Sequence, residues 1–410
     1  MRVCIVGIDG YLGWSLACYL AERGHSISGI DAFYRRKWVA EVGGMSITPI
    51  ADMDERWKAH NEKWPDSFED MLTIDISKDY KALLMFLEIQ QPDAIVHLGE
   101  QPSAPFSMID VDHAVLTQHN NVIGTLRLLF AIKDVCPDAH LLKLGTLGEM
   151  GTPEIPICEG NFQDGSIIIY PDGKNFRLDG LMFPRNGGSL YHNSKIQDTV
   201  NVKKACDWWN LRSTDIMQGV VYGTDIDEFE GDKRLITRFD CCEYFGTVMN
   251  RFIAQAIIGR PLTLYGKGHQ KRGLIPLRDS MQCMTLLLEN APAPGEYRTV
   301  NQLENVYDLT ELALKVQQAG ESLDLDVTIK NYTDPRVERE DHTYEVIHDT
   351  LSDLGYRPTR DMEIEIRSIF ETLMPFRDRI LAVGSSLHPK TRWSGEHREC
   401  EEIRSDQFKV

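Results

Sequence analysis

The feature that most narrows the choice of fold lies at the start of the chain. Arg2 to Val6 is a short, mainly apolar run, Gly7-Ile8-Asp9-Gly10-Tyr11-Leu12-Gly13 follows, and Trp14 to Ala21 has helical character. Strand, glycine turn and helix in that order set unpaired N–H groups and the positive end of a helix dipole beside a backbone bare enough to admit a pyrophosphate. Spaced glycines also occur in plain tight turns, so the turn alone does not name its ligand. Asp31 narrows it: it closes the next apolar run, Ser26 to Ile30, where a carboxylate meets the adenosine ribose hydroxyls and repels a 2′-phosphate. The cofactor expected is NAD, and Arg35 and Arg36 just beyond are the counterweight, because arginines there can hold that phosphate.

Apolar runs ending at Asp75-Ile76, spanning Asp93 to Leu98 and spanning His140 to Gly145 alternate with helical stretches, which predicts an α/β chain with a doubly wound parallel sheet. Helices are predicted at about Asp112 to Asp134, where Val122, Leu126, Leu129 and Phe130 share a face, and at Leu190 to Trp209. Those faces suit either the core or a bundle across a two-fold axis. After the strand Ser213 to Val221 the pattern changes to an acidic loop at Asp225 to Asp232, an apolar helix at Val248 to Ile258 and a strand at Leu262 to Tyr265 that runs into Gly266 to Arg272. Helical periodicity returns at Leu309 to Gln318 and Glu363 to Ala382. The expected organisation is a Rossmann-type domain over residues 1–223 and a smaller C-terminal α/β substrate domain over 224–383, with segments near 297–302 returning to the first sheet. Residues 384–410 are expected to form a polar tail, and about 152–189 a hairpin insertion, turning at Asp172-Gly173, that overhangs the site as a lid.

With 410 residues, 42% of them hydrophobic, the chain has ample core, while a net charge of -18 argues against nucleic acid or a basic membrane patch as partner. An anionic substrate must then be met by local cations such as Arg251, Lys271, Arg272 and Arg336. Nine cysteines without a paired framework point to a reducing cytosol, and the twelve histidines show no zinc-like spacing. No apolar run approaches the roughly 20 residues of a membrane span, and neither a signal nor a transit peptide is read at Met1.

The chemistry is carried further along. Tyr191 and Lys195, one helical turn apart, share a face, and an ammonium beside a phenol favours the phenolate that can deprotonate an alcohol. Thr146, at the end of the strand from His140, can bond the same substrate oxygen.

Gly7-x-x-Gly10-x-x-Gly13, Asp31, Thr146 and Tyr191-x-x-x-Lys195 together resemble the extended short-chain dehydrogenase/reductase family that acts on nucleotide sugars. Gly99-Glu100-Gln101 through Ser107-Met108, Thr117 to Thr125, Gln218 to Gly223 and Pro335-Arg336-Val337-Glu338 are narrower, and across residues 1 to about 380 are similar to a branch that builds a sulfonated nucleotide sugar. The resemblance implies that UDP-glucose is oxidised at C4 with Tyr191 as base, Lys195 tuning it and Thr146 sharing the hydroxyl. Loss of the C5 proton and the C6 hydroxyl, addition of sulfite (or a donated equivalent) at C6, and re-reduction at C4 complete the turnover. Cofactor contacts are expected from Gly7, Asp9, Gly10, Tyr11, Leu12, Gly13, Asp31, Arg35, Arg36, Asp75, Ile76, Leu98, Asn120, Asn121, Tyr191 and Lys195. Substrate contacts are expected from Gln101, Thr146, Gln218, Asn250, Arg251, Tyr265, Gln270, Arg272, Asn301 and Arg336.

Related 4,6-dehydratases carry Asp-Glu directly after the threonine, where this chain has Leu147-Gly148, so the second acid-base falls to His192 or Glu149. The resemblance also leads to an arginine at Pro102 and a tyrosine at Phe106, neither of which is present. A homodimer or higher homo-oligomer is expected, with no metal. A UDP-sugar 4-epimerase, a 4,6-dehydratase and a non-catalytic dinucleotide-sensing module are the competing readings; retention of both Tyr191 and Lys195 speaks against the last.

Overall fold

The computed structural model describes residues 1–336, 343–396 and 398–403. Val337 and Glu338 of the Pro335-Arg336 motif lie outside the described residues.

Seven strands form one sheet: β1 (Arg2–Val6), β2 (Ser26–Asp31), β3 (Phe68–Thr73), β4 (Ala94–His97), β5 (His140–Thr146), β6 (Arg212–Gln218) and β7 (Tyr297–Gln302). Every neighbouring pair is parallel, in the order β7-β6-β5-β4-β1-β2-β3. The chain works outward from β1 to β3, then returns to the other side of β1 as β4, so the order reverses between β1 and β4. A crevice opens at the carboxyl ends of the strands at such a reversal, and ligands bind there. Val3, Ile5, Ala94 and Val96 are buried in the sheet, as parallel strands covered on both faces require. Helix α1 (Tyr11–Glu22) covers one face with Trp14, Leu16, Ala17 and Leu20 buried.

On the opposite face lie α2 (Val111–Gln118), α3 (Gly124–Val135) and α4 (Leu190–Trp209), packed through Leu128, Leu129, Ile132 and Val202. The single helix read over Asp112 to Asp134 is divided here by a π turn, His119–Ile123. Within α3, Leu128, Leu129, Ala131 and Ile132 are buried, whereas Phe130, read on one face with Leu129, is exposed and packs on Trp209.

A second unit builds its own core from Phe252, Leu312, Ile366 and Phe370, on the helices Val248–Ile257, Leu309–Glu321 and Met362–Leu373. The helix expected to run on to Ala382 is interrupted at Met374–Phe376, where Pro375 enters a 3-10 turn. The strand Leu262–Tyr265 pairs with Ile329–Tyr332, which pairs in turn with Glu402–Ile403. Residues 384–403 are therefore not a free polar tail: Leu387 and Cys400 are buried against this unit. Two further strands, Ile167–Ile169 and Asn175–Arg177, make an antiparallel hairpin whose side chains are exposed.

Candidate active site

The crevice is a cavity of about 730 Å³ running from the glycine turn to the start of α4. Gly7, Gly10, Tyr11, Leu12 and Gly13 line one end with Asp31, and Thr146, Gly148, Tyr191 and His192 line the other. Two glycines are dictated by space. Gly7 has φ +90°, and a Cβ on it would stand 2.6 Å from the Leu98 carbonyl carbon; a Cβ on Gly13 would stand 2.2 Å from the Gly7 oxygen. No side chain caps α1, so the N–H groups of its first turn face the cavity.

Asp31 accepts hydrogen bonds from the Asp9 and Phe33 amides, at 2.8 and 2.7 Å. Burial, then the Asp9 carboxylate, raises its pKa to about 6. The two arginines that weighed toward a 2′-phosphate are both committed to carboxylates. Arg36 bonds Asp9 through Nε and Nη2, at 2.7 and 2.6 Å, and Arg35 bonds Asp240 at 3.0 and 2.7 Å while stacking on Phe245. Bare glycines, an uncapped helix start and a carboxylate without a competing cation fit a dinucleotide with free ribose hydroxyls, which is NAD. Asp75, Ile76, Leu98 and Asn120 complete this end of the wall. Asp9, Arg36, Asn121 and Lys195 stand behind it. Asn121 is a strut, donating to Ser194 Oγ at 2.9 Å and accepting from the Gln101 amide at 2.8 Å.

At the catalytic end, Thr146 Oγ1 accepts from the Gly148 amide at 3.1 Å, which leaves its own proton to be given outward. Ser189 caps α4 by accepting from the His192 amide, and its Oγ also lies 2.9 Å from His192 Nδ1. The other ring nitrogen, Nε2, lies over Gly148, 2.4 Å from where a Cβ would stand. The imidazole thus fills the space that a side chain at Gly148 would need, the position at which the related dehydratases carry their glutamate.

Lys195 donates to the Leu144 carbonyl at 2.6 Å and is ion-paired with Glu100, and its Nζ is 5.9 Å from the centre of the Tyr191 ring. Burial lowers Lys195 to about 8 and raises Tyr191 well above the usual phenol range, with the Glu149 and Asp198 carboxylates adding to the latter.

Several expected site residues stand elsewhere. Glu149 is fully buried beneath β5, where it accepts from Arg185 and Thr199, both at 3.0 Å, and lies 3.8 Å from Lys143; enclosed among those partners it does not reach the cavity. Gln101 is also internal, donating to Thr117 Oγ1 at 2.7 Å. Asn301 ties the insertion to the sheet by donating to the carbonyls of Ile157 and Ile347, at 3.3 and 2.7 Å. Phe106, at the position where a tyrosine was expected, sits in an aromatic cluster with Trp38 and Phe245, while Pro102 does line the cavity.

Of the remaining substrate set, Gln218, Asn250, Arg272 and Arg336 line the cavity. Arg251, Tyr265 and Gln270 are a layer behind, and buried Arg251 Nε, Tyr265 Oη and Gln270 Oε1 have no hydrogen-bond partner among the described residues. Glu100 was given no role from the sequence, although a carboxylate in the short loop that leaves a buried strand, three residues past His97, was the available signal.

The family model described as "NAD dependent epimerase/dehydratase family" matches residues 3–239. The UDP-sulfoquinovose synthase of Sulfolobus acidocaldarius is 41% identical over 399 residues, spanning 96% of this chain and 98% of that one. The chloroplastic UDP-sulfoquinovose synthase of Spinacia oleracea is 40% identical over 92% of this chain and 77% of its own length. Among solved structures, UDP-glucuronic acid 4-epimerase from Bacillus cereus, in complex with UDP-glucuronic acid and NAD, matches with a TM-score of 0.65 at 17% identity, over 92% of this chain and 99% of that one, a likeness of fold. The chain belongs to the NAD dependent epimerase/dehydratase family and, within it, to the UDP-sulfoquinovose synthases.

Proposed function

We propose that this enzyme makes UDP-sulfoquinovose from UDP-glucose and sulfite, with Thr146, Tyr191 and His192 in direct contact with the sugar. The observation that carries the reading is the convergence of these three side chains on the cavity whose far end holds the glycine turn and Asp31. Held by the glycine turn and Asp31, NAD would supply reversible hydride acceptance from C4, the hydride being returned at the end of the turnover. Tyr191 removes the proton of the C4 hydroxyl while Thr146 donates to that oxygen, and Lys195 supplies the positive charge that makes a phenolate tolerable. With C4 a ketone, the C5 proton is acidic. With the ring proton on Nδ1, 2.9 Å from Ser189 Oγ, Nε2 of His192 has the lone pair that takes this proton and then delivers it to the C6 hydroxyl, which leaves as water. Bisulfite adds through sulfur at C6, its proton passes by way of His192 to C5, and Tyr191 gives its proton back to the oxygen at C4. Arg272 and Arg336 are assigned to the diphosphate, which a chain of net charge -18 must hold by local cations.

We assign the working form to a homodimer about α2 and α4, supported by the exposure of Val111 and Val115 on α2, 71% and 61%, and of Val200 on α4. A cytosolic setting is supported by nine buried cysteines, none in a disulfide. No helix among the described residues is long and apolar enough to cross a membrane.

Incubation of NAD-loaded protein with UDP-glucose and sulfite is expected to yield the sulfonated nucleotide sugar by mass spectrometry. Formation of UDP-galactose or of a 4-keto-6-deoxy sugar in its place overturns the assignment. Tyr191→Phe is expected to abolish reduction of bound NAD by UDP-glucose while NAD binding persists.

A further inference from the structure

The loop after β4 turns inward a carboxylate that the proposed chemistry does not use. Glu100 is 2% exposed at its side chain and ion-paired with Lys195. Its other oxygen accepts from Thr125 Oγ1 at 3.1 Å and lies 3.6 Å from His97 Nε2. The backbone beside it is clamped, because the Gln101 amide donates to the carboxamide oxygens of both Asn120 and Asn121, at 2.9 and 2.8 Å. Those two asparagines are presented by the π turn between α2 and α3. The Gly99-Glu100-Gln101 motif, the split helix and Thr125 thus form one device that aims a carboxylate at the catalytic ammonium.

A buried lysine tends to shed its proton, since desolvation disfavours the charged form. Facing Lys195 from α4 are Tyr191 and Asp198; from β4 and its loop, His97 and Glu100; from β5, β6 and the turn after β5, Lys143, Asp215 and Glu149. Burial holds His97 neutral, while Lys143 is matched by Asp215 and Glu149. Among the described residues, Glu100 is the carboxylate in contact with Lys195 itself.

We propose that Glu100 is a positioning residue of the reaction, holding Lys195 charged and aimed so that one tyrosine serves as base in the first half of the turnover and as acid in the last. This rests on the Tyr191–Lys195 roles given under the proposed function. A tyrosine that works in both directions needs a constant charge beside it, and a carboxylate that keeps the ammonium protonated through the cycle supplies that constancy.

The experiment tracks the ε-13C resonance of Lys195 against pH in the NAD-loaded protein, the resonance being identified by its loss in Lys195→Met. In Glu100→Gln the titration midpoint is expected to fall by about one pH unit or more, and in Glu100→Asp to stay near the wild-type value. Glu100→Ala removes the same charge and serves if Glu100→Gln does not fold. The alkaline limb of NAD reduction by UDP-glucose should move down in parallel, which a purely structural defect would not cause. An unchanged Lys195 midpoint in a folded charge-removing variant overturns the inference. A midpoint that moves in a protein whose wild type does not reduce NAD with UDP-glucose supports the coupling and overturns the substrate reading instead.

Discussion

At the scale of single residues, two contacts carry most of the chemical consequences. Asp31 has its pKa raised to about 6 by burial and by Asp9, so the folded protein binds this proton more tightly than the unfolded chain. Its contribution to stability is complete below the unfolded carboxylate range and is lost as pH rises through about 6. Cofactor binding runs the other way, because ribose hydroxyls donate to the ionised form. NAD affinity measured by calorimetry is expected to weaken about tenfold per unit as pH falls below that value, and Asp31→Asn is expected to remove the dependence. The second contact is His192 over Gly148. His192→Asn should leave reduction of bound NAD by UDP-glucose within a few-fold of wild type and slow formation of the sulfonated product by about 10²–10⁴-fold. Gly148→Ala, whose Cβ would stand 2.4 Å from Nε2, is expected to reproduce that split by displacing the ring. Equal loss of both steps in rapid-mixing experiments would count against His192 as the second acid-base.

At the scale of elements, the differences from the sequence reading have local causes. Periodicity reports a helix face as if the helix were continuous, and the π turn at His119–Ile123 breaks that assumption where the asparagines must reach Gln101. Leu129 and Phe130, read on one face, divide between the core and the surface because consecutive helical residues stand about 100° apart. The segment from Gly384 to Ile403 reads as polar because its few apolar residues are scattered, yet Leu387 and Cys400 find buried sites and Glu402–Ile403 pairs with the strand Ile329–Tyr332. Trp393 extends the same segment to the cavity rim, donating from Nε1 to the Gly188 carbonyl at 2.6 Å, with Arg336 stacked 5.4 Å from its ring. Truncation after Val383 is therefore expected to lower the melting temperature by several degrees. It should also raise the KM for UDP-glucose while NAD affinity, set at the other end of the cavity, stays unchanged.

For the whole molecule, the outward faces of α2 and α4 present Val111, Val115 and Val200 to solvent in the single chain. Isolated apolar residues on a surface need no explanation, but exposed ones on both of two packed helices suit a second copy that spans the pair. The paired change Val115→Asp and Val200→Asp is expected to shift the proposed dimer to a monomer in sedimentation experiments, and a wild-type protein that sediments as a monomer would overturn the dimer proposal.

What the amino-acid order determined by itself is the set of local instructions: the strand, glycine turn and helix at the amino end, the carboxylate closing β2, the Tyr191–Lys195 spacing, and the lack of an acidic pair after Thr146. Each is written within a few neighbouring residues, where chain geometry alone relates one side chain to the next. Only the tertiary structure decided which charges remain available to a ligand. Arg36 is used up on Asp9, Arg35 on Asp240 and Glu149 on Arg185, while Glu100 turns inward to Lys195 and His192 takes the place over Gly148. These pairings join residues up to 205 positions apart. Burial and the need to compensate every enclosed charge select them, and neither is legible until the sheet has brought distant segments together.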